Sequence, residues 1–262
     1  NIKCNRKNMK KVSIIALSAI GATLVACSSM NGMSSLSTIS SVVSQNAPLT
    51  QTEIVAGLKE ALVQGVTKGV TKLAVKNGYY NDLATRIGLP EEALVITQNI
   101  AKLPGGEKLV QNVVQRINES ASDAVKEASP IFVNAIKDMS FTDAAKILAG
   151  GNTAATTYFK SKCKPDLKRL FASKIQTSLD KKLVGDVSAS SSWNTLTGQW
   201  NNVANSVIGK ATGLKSVNTD LTDYLTEQAV DGLFKKVGEE ETAIRTKASA
   251  RTSTLLKRVF GR

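Results

Sequence analysis

The chain has 262 residues and a formal net charge of +13, from 34 Lys+Arg against 21 Asp+Glu, with no histidine and three cysteines. At 42% hydrophobic and 5% aromatic residues, it is neither collagenous nor disordered, and it is long enough for one large core or two small ones. The missing histidine excludes Ser-His-Asp and Cys-His catalysis, histidine-containing zinc sites and haem held by histidine. Three cysteines are too few for a Cys4 zinc or iron–sulfur site. Paired carboxylates could still bind a divalent metal, but none is placed to converge on an ion, so no metal and no cofactor is expected.

Residues 1–26 carry Lys3, Arg6, Lys7, Lys10 and Lys11 and no acid, with an apolar run from Val12 to Ala26. A basic stretch before a short apolar one is the pattern of a secretory signal peptide, too short for a comfortable membrane span. It ends in Leu24-Val25-Ala26-Cys27, which resembles the bacterial lipobox, whose cysteine is acylated and becomes the new N-terminus. The alternative is an ordinary signal peptide with a chance cysteine. Met9-Lys10-Lys11 opens a compact leader, which predicts Met9 as the start and Cys4 as absent from the product. Acyl chains on Cys27 would anchor the protein at about 0.8 kcal/mol per buried CH2. Ser28, rather than Asp, follows the cysteine; by similarity to known sorting signals this predicts the outer membrane, facing the periplasm. Cys163 is then the one cysteine of the mature body, without a disulfide partner and expected to be buried.

Residues 27–49 read as a tether: from Ser28 to Pro48 there are eight serines and no charge, and as coil the segment would reach roughly 25 Å. A short helix across Leu36–Val43 would shorten it. Residues 50–262 then read as one all-α domain, a bundle of eight to ten helices. Thr52 is placed to cap a helix reaching about Lys76, with Glu53 in its first turn. Gly57, Ala61, Gly65 and Gly69 recur every four residues beside a ridge of Leu58, Leu62 and Val66. Three glycines cost a helix about 1 kcal/mol each, so the stripe predicts another helix crossing very close by.

Asn77-Gly78 reads as a stop, residues 79–90 as an irregular connection, and 91–102 as a short helix. Beyond Pro104-Gly105-Gly106, an apolar stripe at Val110, Val113/Val114, Ile117, Ala121, Ala124/Val125 and Ala128 has helical period. Ser129-Pro130 starts a helix through Met139. Ser140-Phe-Thr-Asp143 reads as a capping box, Gly150-Gly151 as a stop, Asn152 as a cap, and Pro165 as the start or kink of a basic helix to Lys182. Residues 185–192 read as a loop, 193–207 as a helix and 209–218 as a second loop. Asn218 or Thr219 caps a helix to about Arg245, and a last helix covers about 249–260. No strand alternation and no 20–50-residue repeat is visible.

Without histidine, catalysis would fall to Asp/Glu, Tyr, Lys or Ser. Glu239-Glu240-Glu241 is the densest acidic group, yet consecutive helical residues diverge and cannot meet on one ion; a solvated acidic turn is the expected reading. Glu241 and Arg245 form an i,i+4 pair. Gly150-Gly151-Asn152-Thr153 either presents N–H groups to an anion or simply turns between helices. Tyr79-Tyr80 and Trp193/Trp200 either line a pocket or anchor the core. Basic charge clusters at 157–182 and 242–262, +6 each; residues 1–26 hold +5, so the remainder is −4. Such surfaces either are solvated faces that aid solubility or meet anionic envelope ligands or an acidic protein partner. Those partners suit them better than nucleic acid, which an exported lipoprotein rarely meets.

Residues 127–160, from Glu127-Ala-Ser-Pro through Asp143-Ala-Ala-Lys-Ile-Leu-Ala-Gly-Gly-Asn-Thr to Tyr158-Phe-Lys160, resemble domain-of-unknown-function family 4197 of bacterial lipoproteins. Leu58-Lys-Glu-Ala-Leu62, Gly78-Tyr-Tyr-Asn81, Ile87-Gly-Leu-Pro90, Gly232-Leu-Phe234 and the run from Glu240 to Gly261 agree in the same order. One departure falls at Arg116-Ile-Asn-Glu-Ser-Ala121, where an Asn-Arg-Ala-Ala-Glu-like run is expected. The resemblance implies an all-helical, lipid-anchored periplasmic protein with no established activity. Its motif residues sit at helix ends, which suggests one polar cluster of Tyr79, Tyr80, Asp143, Thr156, Tyr158, Glu241, Arg245 and Arg251. A binding or interaction module is the favoured reading. The alternative is a histidine-free envelope hydrolase, with Asp143 or Glu241 as acid or base beside Tyr158 and Arg251.

Overall fold

A Thr-x-x-Glu signature opens the first helix. Thr50, not Thr52, is the cap: its side chain accepts from the Glu53 N–H at 3.2 Å while Glu53 reaches back to the Thr50 N–H at 2.8 Å. Such a reciprocal box satisfies two orphan donors at once, and α1 (Gln51–Ala74) follows. In this computed structural model, residues 48–261 are described apart from 95–97, 99–103, 185, 217 and 219. The leader, Cys27, the proposed tether and most of the helix expected at 91–102 lie outside the described residues.

The connection expected at 79–90 contains a short helix, α2 (Gly78–Asn81), entered through Asn77 in the left-handed region at φ 60°. A Cβ on Gly78 would sit 2.3 Å from the Leu73 carbonyl oxygen, so only glycine fits this turn. Residues 91–93 form a 3-10 turn. Next comes α3 (Gly106–Val125), whose Ile117, Ala121, Ala124 and Val125 are buried as the periodicity predicts. It is followed by α4 (Ser129–Lys137), with Pro130 in its first turn, and α5 (Phe141–Ala149), opened by the expected Ser140/Asp143 box.

Of the start or kink expected at Pro165, the start does not occur. One continuous helix, α6 (Ala154–Leu179), runs through it. A proline in a helix interior costs about 3 kcal/mol. Phe159, Cys163, Leu167, Phe171, Ile175 and Leu179 are all buried on one face on both sides of it, at about 1.5–3 kcal/mol for each large side chain. Packing therefore outweighs the local penalty.

The loop expected at 185–192 is a two-stranded antiparallel hairpin, β1 (Lys182–Val184) and β2 (Val187–Ser188), too short for alternation to reveal. Ser188 then caps α7 (Ala189–Ala204) and Ser206 caps α8 (Val207–Ala211). Asp220, rather than Asn218 or Thr219, caps α9 (Leu221–Thr246) by accepting from the Asp223 N–H at 2.9 Å. After a 3-10 turn at Ala248–Ala250, Ser253 caps α10 (Thr254–Phe260).

Apart from that hairpin the described residues form the expected all-α bundle, and Leu49–Arg262 make one compact unit. Helix α9 packs along both α6 and α1, α3 lies against α6, and α10 against α1. Phe132, Phe159 and Phe234, from α4, α6 and α9, meet edge to face at 5.2 and 6.0 Å in the core, the favoured geometry of aromatic rings. The glycine stripe does what it predicts. A Cβ at Gly69 would lie 3.1 Å from the Val237 backbone nitrogen of α9, and one at Gly57 would lie 2.7 Å from Cγ2 of Val259 on α10.

Candidate functional site

The first turn of α6 exposes backbone N–H groups that its own cap, Thr153, does not satisfy through its side chain. Glu241 of α9 satisfies them instead. Its Oε1 accepts from the Ala155 N–H at 2.9 Å, and its Oε2 accepts from the N–H and hydroxyl of Thr156, both at 2.8 Å. The helix start that reads as either an anion seat or a plain turn between helices thus holds an internal carboxylate, at the positive end of the helix dipole. Asn152, the expected cap, instead accepts at its carbonyl from the Thr242 hydroxyl at 3.3 Å.

Arg245, one turn along α9, donates from Nε to Glu241 Oε1 at 3.0 Å and from its second nitrogen to the Ile147 carbonyl of α5 at 2.8 Å. Its guanidinium lies 5.8 Å from the centre of the Phe260 ring of α10. Arg251 donates to the carbonyls of Ile244 and Arg245 at 2.9 and 2.8 Å. It thereby closes the C-terminal end of α9, where a cation is favoured. Of the eight candidates, Thr156, Glu241, Arg245 and Arg251 lie together, and they tie α5, α6, α9 and α10 to one another. The cleft beside them, lined by Leu58, Leu62, Phe159, Glu241, Arg245 and Phe260 among others, has room of about 20 Å3, enough for one water.

The other four candidates are engaged elsewhere. Tyr79 is fully buried and donates to the Ala229 carbonyl at 2.8 Å, and burial pushes its phenol well above the ordinary value. Tyr80 lies under the Arg86 guanidinium at 4.5 Å. Tyr158 donates to the Ala135 carbonyl at 3.2 Å. Asp143 caps its own helix, accepting from the Ser140 hydroxyl at 2.8 Å and the Ser140 N–H at 3.3 Å. Those two bonds hold its carboxyl below the usual aspartate range, opposite to what a general acid at neutral pH requires. Trp193 is buried, whereas Trp200 is exposed. Burial also pushes the Cys163 thiol up to about 12, in keeping with an inert core cysteine.

The acidic triplet is not a solvated turn. Glu240 and Glu241 are buried, and each of the three glutamates pairs with its own cation: Glu239 with Lys236 at 3.0 Å, Glu240 with Lys72 at 2.5 Å and Glu241 with Arg245 at 3.0 Å. They diverge as helical geometry demands. Among the described residues no group of three or more His, Cys, Asp or Glu is arranged to hold a metal ion.

Sequence reasoning missed two residues. Lys236 is buried and pairs with Asp82 at 2.6 Å. Burial opposes its charge, but hydrogen bonds to Asp82 and Glu239 more than offset that and leave its pKa raised. Asn118, inside the departing 116–121 run, is buried and clasps Ile87. Its amide donates to the Ile87 carbonyl at 2.8 Å and its carbonyl accepts the Ile87 N–H at 2.9 Å.

The basic run of α6 is largely neutralised. Lys164 pairs with Glu227 and Asp231, and Lys168 with Asp223 and Glu227, along the facing side of α9. Lys174 pairs with Glu127 of the α3–α4 connection. Two open grooves flank α6, of about 770 Å3 against α3 and about 670 Å3 against α9, each lined by residues of both signs. Lys160, Lys162, Lys181, Lys247 and Lys257 stay exposed. Among the described residues no helix is long and apolar enough to cross a membrane.

A family described as "Protein of unknown function (DUF4197)" matches residues 48–261. No curated protein and no solved structure matches the chain.

Proposed function

The chain belongs to the DUF4197 family of proteins of unknown function, and we propose that its helical domain is a lipid-anchored binding or interaction module of the bacterial envelope. In this reading Cys27 holds it at the outer membrane, facing the periplasm, and the domain recognises an anionic envelope ligand or an acidic protein partner. The observation that carries the choice of binding over hydrolysis is the state of the two carboxylates best placed for chemistry. Asp143 is consumed by its own helix cap and Glu241 by three donors of α6 together with Arg245. A general acid needs a proton to give and a substrate within reach; these carboxylates hold helices together instead. The two grooves flanking α6, open and lined by charged residues of both signs, are large enough to receive a ligand.

Two measurements test the reading. Labelled palmitate should enter the chain in its bacterial host and fail to enter Cys27→Ser; equal labelling would remove the anchor. Native mass spectrometry after gentle detergent extraction should reveal a bound ligand or partner. A bare protein, or turnover of envelope material lost in Glu241→Gln while the fold survives, would overturn the binding assignment.

A further inference from the structure

Among the described residues ten large apolar side chains are exposed, and five of them fall within fifteen residues: Trp200, Val203, Val207, Ile208 and Leu214. Val207 and Ile208 are 85% and 77% exposed. They sit at the tip of a helical hairpin in which α8 folds back on the end of α7; a Cβ on Gly209 would lie 2.1 Å from the Val203 carbonyl oxygen. The α8 helix packs chiefly on α7, so this tip stands away from the core. A grouped apolar surface of this kind marks an interaction site.

Its charge says what it meets. Residues 187–219 contain no acid and two bases, Lys210 and Lys215, both exposed. We infer that the α7–α8 tip is a membrane-interface element that docks onto an anionic phospholipid surface, with the apolar side chains entering the headgroup boundary and the two lysines facing phosphates. Tryptophan and lysine around an apolar centre suit that boundary. The Trp200 indole N–H already donates to the Lys215 carbonyl at 3.0 Å, so no bare donor is carried into the bilayer. A second copy of the chain fits less well. A two-fold interface sets the same patch against itself and would gather four lysines with no acid between them.

The inference does not require Cys27 to be acylated, and its test uses the Cys27→Ser chain, so a missing anchor and a failed tip are told apart. Vesicles of phosphatidylethanolamine and phosphatidylglycerol with brominated acyl chains quench only indoles that enter them, and Trp200→Phe identifies that signal. Quenching of Trp200 is expected, reduced about tenfold or more in affinity by Val207→Asp with Ile208→Asp. These positions are exposed, so the fold should persist by circular dichroism. Lys210→Glu and Lys215→Glu should each weaken binding about fivefold. The inference is overturned by absent quenching, by tip variants that quench as well as the parent, or by equal binding to pure phosphatidylcholine. It is overturned equally by a dimer that the tip variants dissolve, or by a protein partner that covers Trp200 without lipid.

Discussion

Glu241 and Thr156 lie 85 positions apart in sequence, yet one carboxylate oxygen of the first accepts both the N–H and the hydroxyl of the second at 2.8 Å. A helix start that its own neighbours leave uncapped is completed by a neighbouring helix. The bond therefore does more than close a turn: it sets the register of α9 against α6, the two helices that pack most extensively on each other. Arg245 extends the same fixation to α5 through the Ile147 carbonyl.

Glu241→Ala should accordingly cost about 3–5 kcal/mol, the usual result of removing one partner of a buried ion pair. The loss strands Arg245 and removes the acceptor of three α6 donors, the Ala155 N–H and the N–H and hydroxyl of Thr156. Glu241→Gln keeps one acceptor and should fall between Ala and the parent. Urea denaturation checks this; a loss below about 1 kcal/mol, the range of exposed pairs, would show that the cluster is solvated.

Much of this arrangement was legible in the chain. Helix periodicity, the Ser140/Asp143 box and the close-crossing glycine stripe are local patterns, and they transferred directly into α3, α5 and α1. Where reading failed, a non-local term had won. Pro165 is a sound local signal for a helix start, but the buried face from Phe159 to Leu179 carries one helix through it. Glu240 and Glu241 read as solvated because nothing local announces that Lys72 and Ala155 will meet them. The cluster was half legible for the same reason: the residues at helix ends stood out, but Tyr79 and Tyr158 proved to bond backbone carbonyls of other helices. Buried Lys236 left no trace, since its partner Asp82 lies more than 150 positions away.

The glycines of α1 offer a test in opposite directions. At Gly65 a Cβ would find its nearest neighbour at 3.8 Å, in ordinary contact, whereas at Gly69 it would press on the Val237 backbone nitrogen at 3.1 Å. Gly65→Ala should stabilise by up to about 1 kcal/mol, the helix-propensity difference. Gly69→Ala should instead destabilise by about 1–3 kcal/mol, because backbone cannot step aside as a side-chain end can. Thermal melts of the two variants should move apart; a common upward shift would mean α1 and α9 do not cross so closely.

Stability should be flat through neutral pH and fall on both sides. The chain has no histidine. On the acid side, bonds to Lys236 for Asp82, to Lys164 for Glu227 and to Ser140 for Asp143 depress the folded pKa below ordinary values of 3.8, 4.5 and 3.8. Their contribution is present above those values and disappears as pH drops through the folded ones. On the alkaline side, the unfolded Cys163 thiol ionises from an ordinary value of 9.0 while the buried one holds its proton to about 12. Unfolding therefore releases a proton in that window, and stability declines as pH rises through it. Cys163→Ala should move the onset from near pH 9 towards pH 10, where buried Tyr79 takes over. Melting temperatures across pH 3–11 check both limbs, and an unmoved alkaline onset would contradict the thiol's assignment.

The acidic side of α9 should also decide how basic the protein looks to its surroundings. Asp223, Glu227 and Asp231 occupy Lys164 and Lys168 at the half-exposed seam between the two helices, so they offset part of the clustered +6 of residues 157–182. Asp223→Asn, Glu227→Gln and Asp231→Asn together should release those two lysines and tighten binding of polyphosphate by about fivefold or more, given roughly 1 kcal/mol for each pair undone. Net charge alone would also tighten it, so the comparison is Glu60→Gln, Glu91→Gln and Glu107→Gln. That set changes the charge equally at exposed sites on α1, the 3-10 turn and α3. Calorimetric titration should find the α9 set clearly stronger. Equal gains would mean the lysines of α6 were open to anions all along, and that the pairing across α6 and α9 does not restrain them.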